Sequence, residues 1–196
     1  MLSSIHPLGE RSRSNRYWLT VSAYLVGSLV GGLATGAAAG GLGELAGLGD
    51  LSDGIRALAL AAAAAATLAA DLRPRPVSHV HRQVDERWLG TYRGWVYGLG
   101  YGLQLGCGLV TIVSSATVYL WIAAAVLSGS VTTGAVLGAV FGAVRGLVLL
   151  TGAGLDSPDA LRRFHRRLDR VRPASRRAAQ VVSASVVVLA LAVVAT

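Results

Sequence analysis

Five long apolar stretches dominate the chain: residues 17–43, 55–71, 95–127, 131–153 and 178–196. A helix needs about 20 apolar residues to cross a bilayer, and these stretches meet or approach that length. Hydrophobic residues make up 53% of the 196, and charged ones only 14%, against a usual share of about 25%. Mean hydropathy is +0.55. A soluble core of this size cannot bury that much apolar surface, and a disordered chain has the opposite composition. The expected fold is therefore all-α: a polytopic membrane bundle of about five transmembrane helices forming a single domain over residues 1–196.

Charge placement sets the expected orientation. The 18 basic residues are all arginine, and the formal net charge is +8. Most of them cluster in the N-terminal segment (Arg11, Arg13, Arg16), between Arg73 and Arg93, and between Arg162 and Arg177. Each cluster flanks an apolar stretch, as membrane-orienting arginines do, so the clusters are expected on the cytoplasmic side. The 44–54 loop carries Glu44, Asp50 and Asp53 without arginine, and the 128–130 link is Ser-Gly-Ser. Both are expected outside. The resulting topology is multi-pass in the cytoplasmic, or inner, membrane, with the N-terminus cytoplasmic and the C-terminus external. The same placement argues against nucleic acid as a partner.

Several features carry finer expectations. Gly134, Gly138, Gly142 and Gly146 repeat every four residues in the fourth span, a glycine zipper that gives another helix a smooth face to approach. Gly27 with Gly31, and Gly32 with Gly36 and Gly40, do the same in the first. As one helix, residues 95–127 would extend about 50 Å, against a hydrocarbon core of about 30 Å. Their glycine-rich first part is poor helix material. Either the span is interrupted near residues 102–108 or it is strongly tilted. Its polar residues gather there. Gln104 lies nearby, and Cys107, Thr111, Ser114 and Ser115 would share one side of a continuous helix. They are read either as a polar stripe lining a substrate path or as hydroxyls bonded to their own backbone. Arg145 lies deep in the fourth span, where a charge is costly. It either snorkels or faces the bundle, with Gln104, Tyr101 or a substrate anion as partner. No acidic residue occupies a span interior, so a carboxylate-based proton relay is not expected.

In the polar segments, Ser157-Pro158 starts a helix. Leu161, Phe164, Leu168 and Val171 form its apolar face, and arginines cover the rest. This reads either as a short basic amphipathic helix on the membrane surface or as a solvated orientation signal. Trp88, Tyr92 and Trp95 are expected in the interfacial aromatic belt. His79 and His81 form a His-x-His pair too sparse for a metal site. Neither a metal nor a cofactor is expected. Spans one and two resemble spans four and five, each pair with a basic loop, and would form an inverted repeat of the kind common in transporters.

Three segments resemble the membrane domain of the cytochrome c biogenesis and thiol–disulfide interchange family, within the lysine-exporter-like superfamily. RYWLTVSAYLVGSLVGGLATGAAAGGLGEL is similar to that family's second helix, GLQLGCGLVTIVSSATVYLWIAAAVL to its fourth, cysteine-bearing helix, and GAVLGAVFGAVRGLVLL to its fifth. The resemblance implies six helices in two inverted triplets, and electron transfer through one cysteine in the first helix and one in the fourth. Cys107 would take the fourth-helix position, flanked by glycines where the family has a proline–cysteine motif. The family's first helix has no counterpart here and is expected upstream of Met1.

Three functions follow as expectations. The first is a transporter-like protein for a small solute or ion, with Gln104, Thr111, Ser114, Ser115 and Arg145 along the path. The second is a thiol–disulfide electron carrier of the cytochrome c biogenesis type, with Cys107 as its redox residue. Because exchange takes two sulfurs and the chain has one cysteine, that function needs a partner thiol. The third is a non-catalytic membrane assembly partner. An enzyme of soluble type is not expected. Partners expected are the bilayer, a small solute or ion, and a thiol-bearing protein or a second copy of the chain.

Overall fold

The structure, a computed structural model, describes residues 5–73, 87–108 and 115–195. These residues are helical, with no strand among them. In chain order the helices are α1 (Pro7–Ser12), α2 (Tyr17–Leu45), α3 (Asp53–Leu72), α4 (Trp88–Thr91), α5 (Gly94–Cys107), α6 (Leu120–Leu127), α7 (Val131–Leu147) and α8 (Pro158–Ala195). A 3-10 turn, Ala116–Tyr119, leads into α6, and another, Val148–Gly152, extends α7. Four helices are long and apolar enough to cross a membrane: α2, α3, α7 with its extension, and α8.

The side-chain pattern is that of a membrane bundle, with small residues inside and large apolar ones outside. On α7, Gly134, Gly138, Gly142 and Gly146 are buried, while Val136, Val140 and Val144 are more than half exposed. Exposed Val26, Leu29, Val30 and Leu33 continue the apolar surface on α2. An apolar surface of this extent suits lipid. The protein is a multi-pass membrane protein.

Helix α2 lies between α5 and α7, and glycine makes both contacts. A Cβ on Gly32 would strike the carbonyl oxygen of Gly138, one on Gly36 that of Gly134, and one on Gly142 that of Ser28. On the other side, a Cβ on Gly27 would strike the carbonyl of Leu99, one on Gly31 that of Leu103, and one on Gly106 again that of Ser28. The register makes α5 parallel and α7 antiparallel to α2. Ser28 is fully buried where all three meet and donates to the Gly142 carbonyl at 2.7 Å.

A second pair, α3 and α8, packs beside this trio. The buried residues of both helices are small too: Ala61 and Ala64 from the alanine run in α3, and Ser183 and Ala190 in α8. The α6 segment joins pair to trio, touching α2, α3 and α7.

One expectation needs correction. The basic segment after Ser157 is not a separate short helix lying on the membrane. It runs unbroken into the last span as the 38-residue α8, with Pro173 inside it. Tyr92 and Trp95 are about half exposed, and the rings of Trp88 and Tyr92 meet edge to face with centroids 5.6 Å apart. Trp88 also stacks on Tyr101, with centroids 5.9 Å apart. The N-terminal segment also packs on the bundle. Glu10 is fully buried, accepting from Tyr97 Oη at 2.5 Å and Thr20 Oγ1 at 2.9 Å, and pairing with Arg13 at 2.8 Å. It ties α1 to α2 and α5 beside an apolar cluster of Ile5, Val21, Tyr24, Tyr97, Tyr101 and Leu149. Its partner Tyr97 lies 87 residues away in the chain, which no local pattern reveals.

Gly138→Ala is expected to destabilise the bundle by about 1–3 kcal/mol, because its new methyl meets backbone that can move only by separating two helices. Gly54→Ala, with open space around the site, is expected to be neutral or slightly stabilising. Thermal unfolding of both variants in detergent, followed by circular dichroism, checks the contrast.

Candidate functional site

The third span is delivered in two pieces. Helix α5 ends at Cys107, and Gly108 caps it with φ of 71°, a left-handed conformation that suits glycine. Helical structure is next described at Ala116, in the turn leading into α6. Thr111 and Ser114 lie outside the described residues, as do His79 and His81. The expected stripe from Cys107 to Ser115 is therefore not one helix face, because Cys107 closes one helix and Ser115, extended at φ −149°, precedes the next.

Aromatic rings occupy one flank of the interruption. A Cβ on Gly108 would crowd the ring of Phe141. That ring stacks on Trp121 of α6, with centroids 4.5 Å apart. Arg145, one turn further along α7, places Cζ 5.4 Å from the Phe141 ring centre, a cation–π distance. Tyr24 is also within electrostatic reach of Arg145. Gln104 is half-buried on α5, one turn before the interruption. Cys107 is partly buried, its Sγ 3.7 Å from the carbonyl oxygen of Gly31.

A carboxylate holds the other flank. Asp71, next to last in α3, accepts from Ala116 N at 2.6 Å, Thr117 Oγ1 at 3.0 Å, Thr117 N at 3.4 Å and the Ser115 hydroxyl. It thus caps the N-terminal turn of the second half-span from a different helix. Hydroxyls extend the network, with Ser183 of α8 lying 2.9 Å from Thr117 Oγ1 and 3.3 Å from Thr67 Oγ1. A cleft of about 340 Å³ bridges the two flanks, lined among others by Ser115, Thr117, Trp121, Phe141 and Arg176.

The structure thus groups Ser115 with Asp71, and Arg145 with Phe141 and Trp121. The four zipper glycines lie on the α2 side of α7, away from the carboxylate. Sequence reasoning missed Asp71, Thr117, Ser183 and Thr67. One signal was present: an acidic residue in the last turn of a helix opposes the helix dipole, and so calls for a compensating partner. That partner is the N-terminal turn of the interrupted span.

Over 133 residues the chain is 34% identical to the methylamine utilization protein MauF of Paracoccus versutus. The match covers 66% of this chain and 48% of MauF, so the chain spans about half the length of that relative. No protein-family model matches the chain, and no solved structure matches it.

Asp71→Ala is expected to cost about 1–3 kcal/mol by stripping the acceptor from a set of buried donors. Cys107 is the only thiol in the chain, so its alkylation rate reports opening at the interruption. The rate is expected to rise in Asp71→Ala and to stay unchanged in Thr91→Ala, whose hydroxyl is bonded only within exposed α4.

Proposed function

We propose that the protein is transporter-like, moving a small solute or ion along a path built at the interruption of its third span. The observation that carries this reading is the arrangement of two half-helix ends, one closed by Gly108 and one capped by Asp71, beside a cleft with charged, hydroxyl and aromatic walls. Irregular backbone at membrane depth is tolerated where protein or a wet cavity satisfies it, and transporters use such breaks as binding sites. Arg145 adds a cation that is costly in lipid and worthwhile where it meets a solute. The arginine-rich segments support a place in the cytoplasmic membrane with a cytoplasmic N-terminus. The likeness to a methylamine utilization protein makes methylammonium the first solute to try.

Proteoliposomes carrying the purified chain would be exposed to gradients of methylammonium, sodium, chloride and acetate. Flux of at least one above protein-free vesicles, strongly reduced by Asp71→Asn and Arg145→Ala, is the expected result. Flux equal to empty vesicles throughout this set would count against the reading.

A second reading is supported by Cys107, which closes α5 at the interruption and is partly exposed. There it would exchange with the disulfide of a partner protein, as the resemblance to the cytochrome c biogenesis and thiol–disulfide interchange family suggests. Intact mass of the native membrane protein, alkylated with and without prior reduction, tests it. A thiol alkylated only after reduction supports the exchange, and one indifferent to reductant counts against it.

A further inference from the structure

At the arginine-rich end of the α3–α8 pair, a cleft of about 420 Å³ opens between the two helices, lined by Asp71, Leu72, Arg73, Arg172, Pro173, Arg176, Arg177 and Gln180. We infer that this cleft binds the phosphate of an anionic phospholipid headgroup.

Four guanidinium groups converge on the cleft. Among the described residues, none of them forms an ion pair with an acidic residue. Among the described residues, the only carboxylate in its wall is that of Asp71, already occupied by the donors of Ser115, Ala116 and Thr117. The cleft therefore presents net positive charge, and planar guanidinium groups suit a phosphate that accepts paired hydrogen bonds.

The helix register is fixed rather than accidental. Gln180 donates from Nε2 to the carbonyl oxygen of Asp71 at 3.4 Å, and Thr117 Oγ1 lies 3.3 Å from that of Ala179. These contacts set the rotation of α8. Arg176 and Arg172 lie one and two turns before Gln180, on the same face. Arg73 enters from the C-terminal end of α3, where the helix dipole favours a cation.

Depth selects a lipid over a soluble phosphate. The apolar stretch of α3 ends at Leu72, just before Arg73, and that of α8 begins just after Arg177. The arginines therefore stand at the boundary between apolar and polar surface, where headgroup phosphates lie. Leu72 and Val181 beside the cleft are 64% and 63% exposed, offering apolar surface to acyl chains. Basic clefts between membrane helices are an established way to hold anionic headgroups. The inference is independent of any transport activity.

The test is native mass spectrometry of the full chain in detergent with phosphatidylglycerol or phosphatidylcholine added, alongside thermal unfolding with the same lipids and with inorganic phosphate. The expected result is severalfold more bound phosphatidylglycerol than phosphatidylcholine, and a rise in unfolding temperature with phosphatidylglycerol alone. The triple variant Arg172→Gln, Arg176→Gln, Arg177→Gln should lose both effects. A control of equal charge change, Arg162→Gln, Arg166→Gln, Arg170→Gln, should keep them. Equal binding of the two lipids, or equal loss in both variants, would overturn the inference. Stabilisation by inorganic phosphate as large as that by lipid would also overturn it, assigning the cleft to a soluble anion. Were the triple variant to misfold, the wild-type comparison of the two lipids and phosphate, with the single variant Arg176→Gln, still decides.

Discussion

Backbone contact around Ser28 is the constraint on which the rest of the structure depends. In lipid no hydrophobic force drives helices together, because the tails are as apolar as the side chains. What remains is close packing, and glycine permits the closest. The carbonyl of Ser28 faces Gly106 on one side and Gly142 on the other, while its hydroxyl binds the Gly142 carbonyl. Three helices are thereby fixed in register at one level of the bundle. The glycines that make α5 a weak helix former in isolation are the ones that let it approach α2. Local instability and tertiary fit thus come from the same residues, and α5 depends on its neighbour to persist.

A second regularity concerns the acids. Three of them act away from their own local segments. Glu44, at the end of α2, accepts from Val131 N at the start of α7 at 3.1 Å. Asp71, at the end of α3, caps the turn into α6. Glu10 gathers a hydroxyl, a phenol and a guanidinium from around its buried position. Glu44 and Asp71 stand at helix C-termini, where their own dipoles disfavour them, and both are matched to the N-terminus of another helix. Two unfavourable ends are joined into a favourable contact. That pairing helps to fix which helices adjoin.

The sequence revealed the features that repeat and concealed those that rest on single distant contacts. The apolar stretches, the four-residue glycine spacing and the excessive length of residues 95–127 can all be read along one line. Helices α2 and α7 and the end of α5 near residue 107 lie where those signals place them. The basic helix after Ser157 was legible as a helix, but its continuity into the last span was not, because Pro173 and the arginines read as a boundary. A proline in a helix removes one hydrogen bond without always ending the helix. The candidate site was half legible. Arg145 and Ser115 stood out as polar residues in apolar surroundings. Asp71 did not, because at the edge of a basic segment it resembles any loop charge, and its partners are about 45 residues away in the chain.

The two kinds of contact divide the bundle unevenly. Within α2, α5 and α7, glycine backbone meets backbone, and a small separation loses many contacts at once. Between α3, α8 and the second half-span, cohesion comes from alanine surfaces and from a cluster of hydroxyls around one carboxylate. A hydroxyl can change partner by rotating one torsion, whereas backbone packed on backbone cannot. The interruption lies between the two. Its first half belongs to the rigid trio through Gly106, and its second half is held to the hydroxyl cluster through Thr117. The two described pieces of the third span are thus held by different kinds of contact, and the second also packs on α2 and α7 through α6.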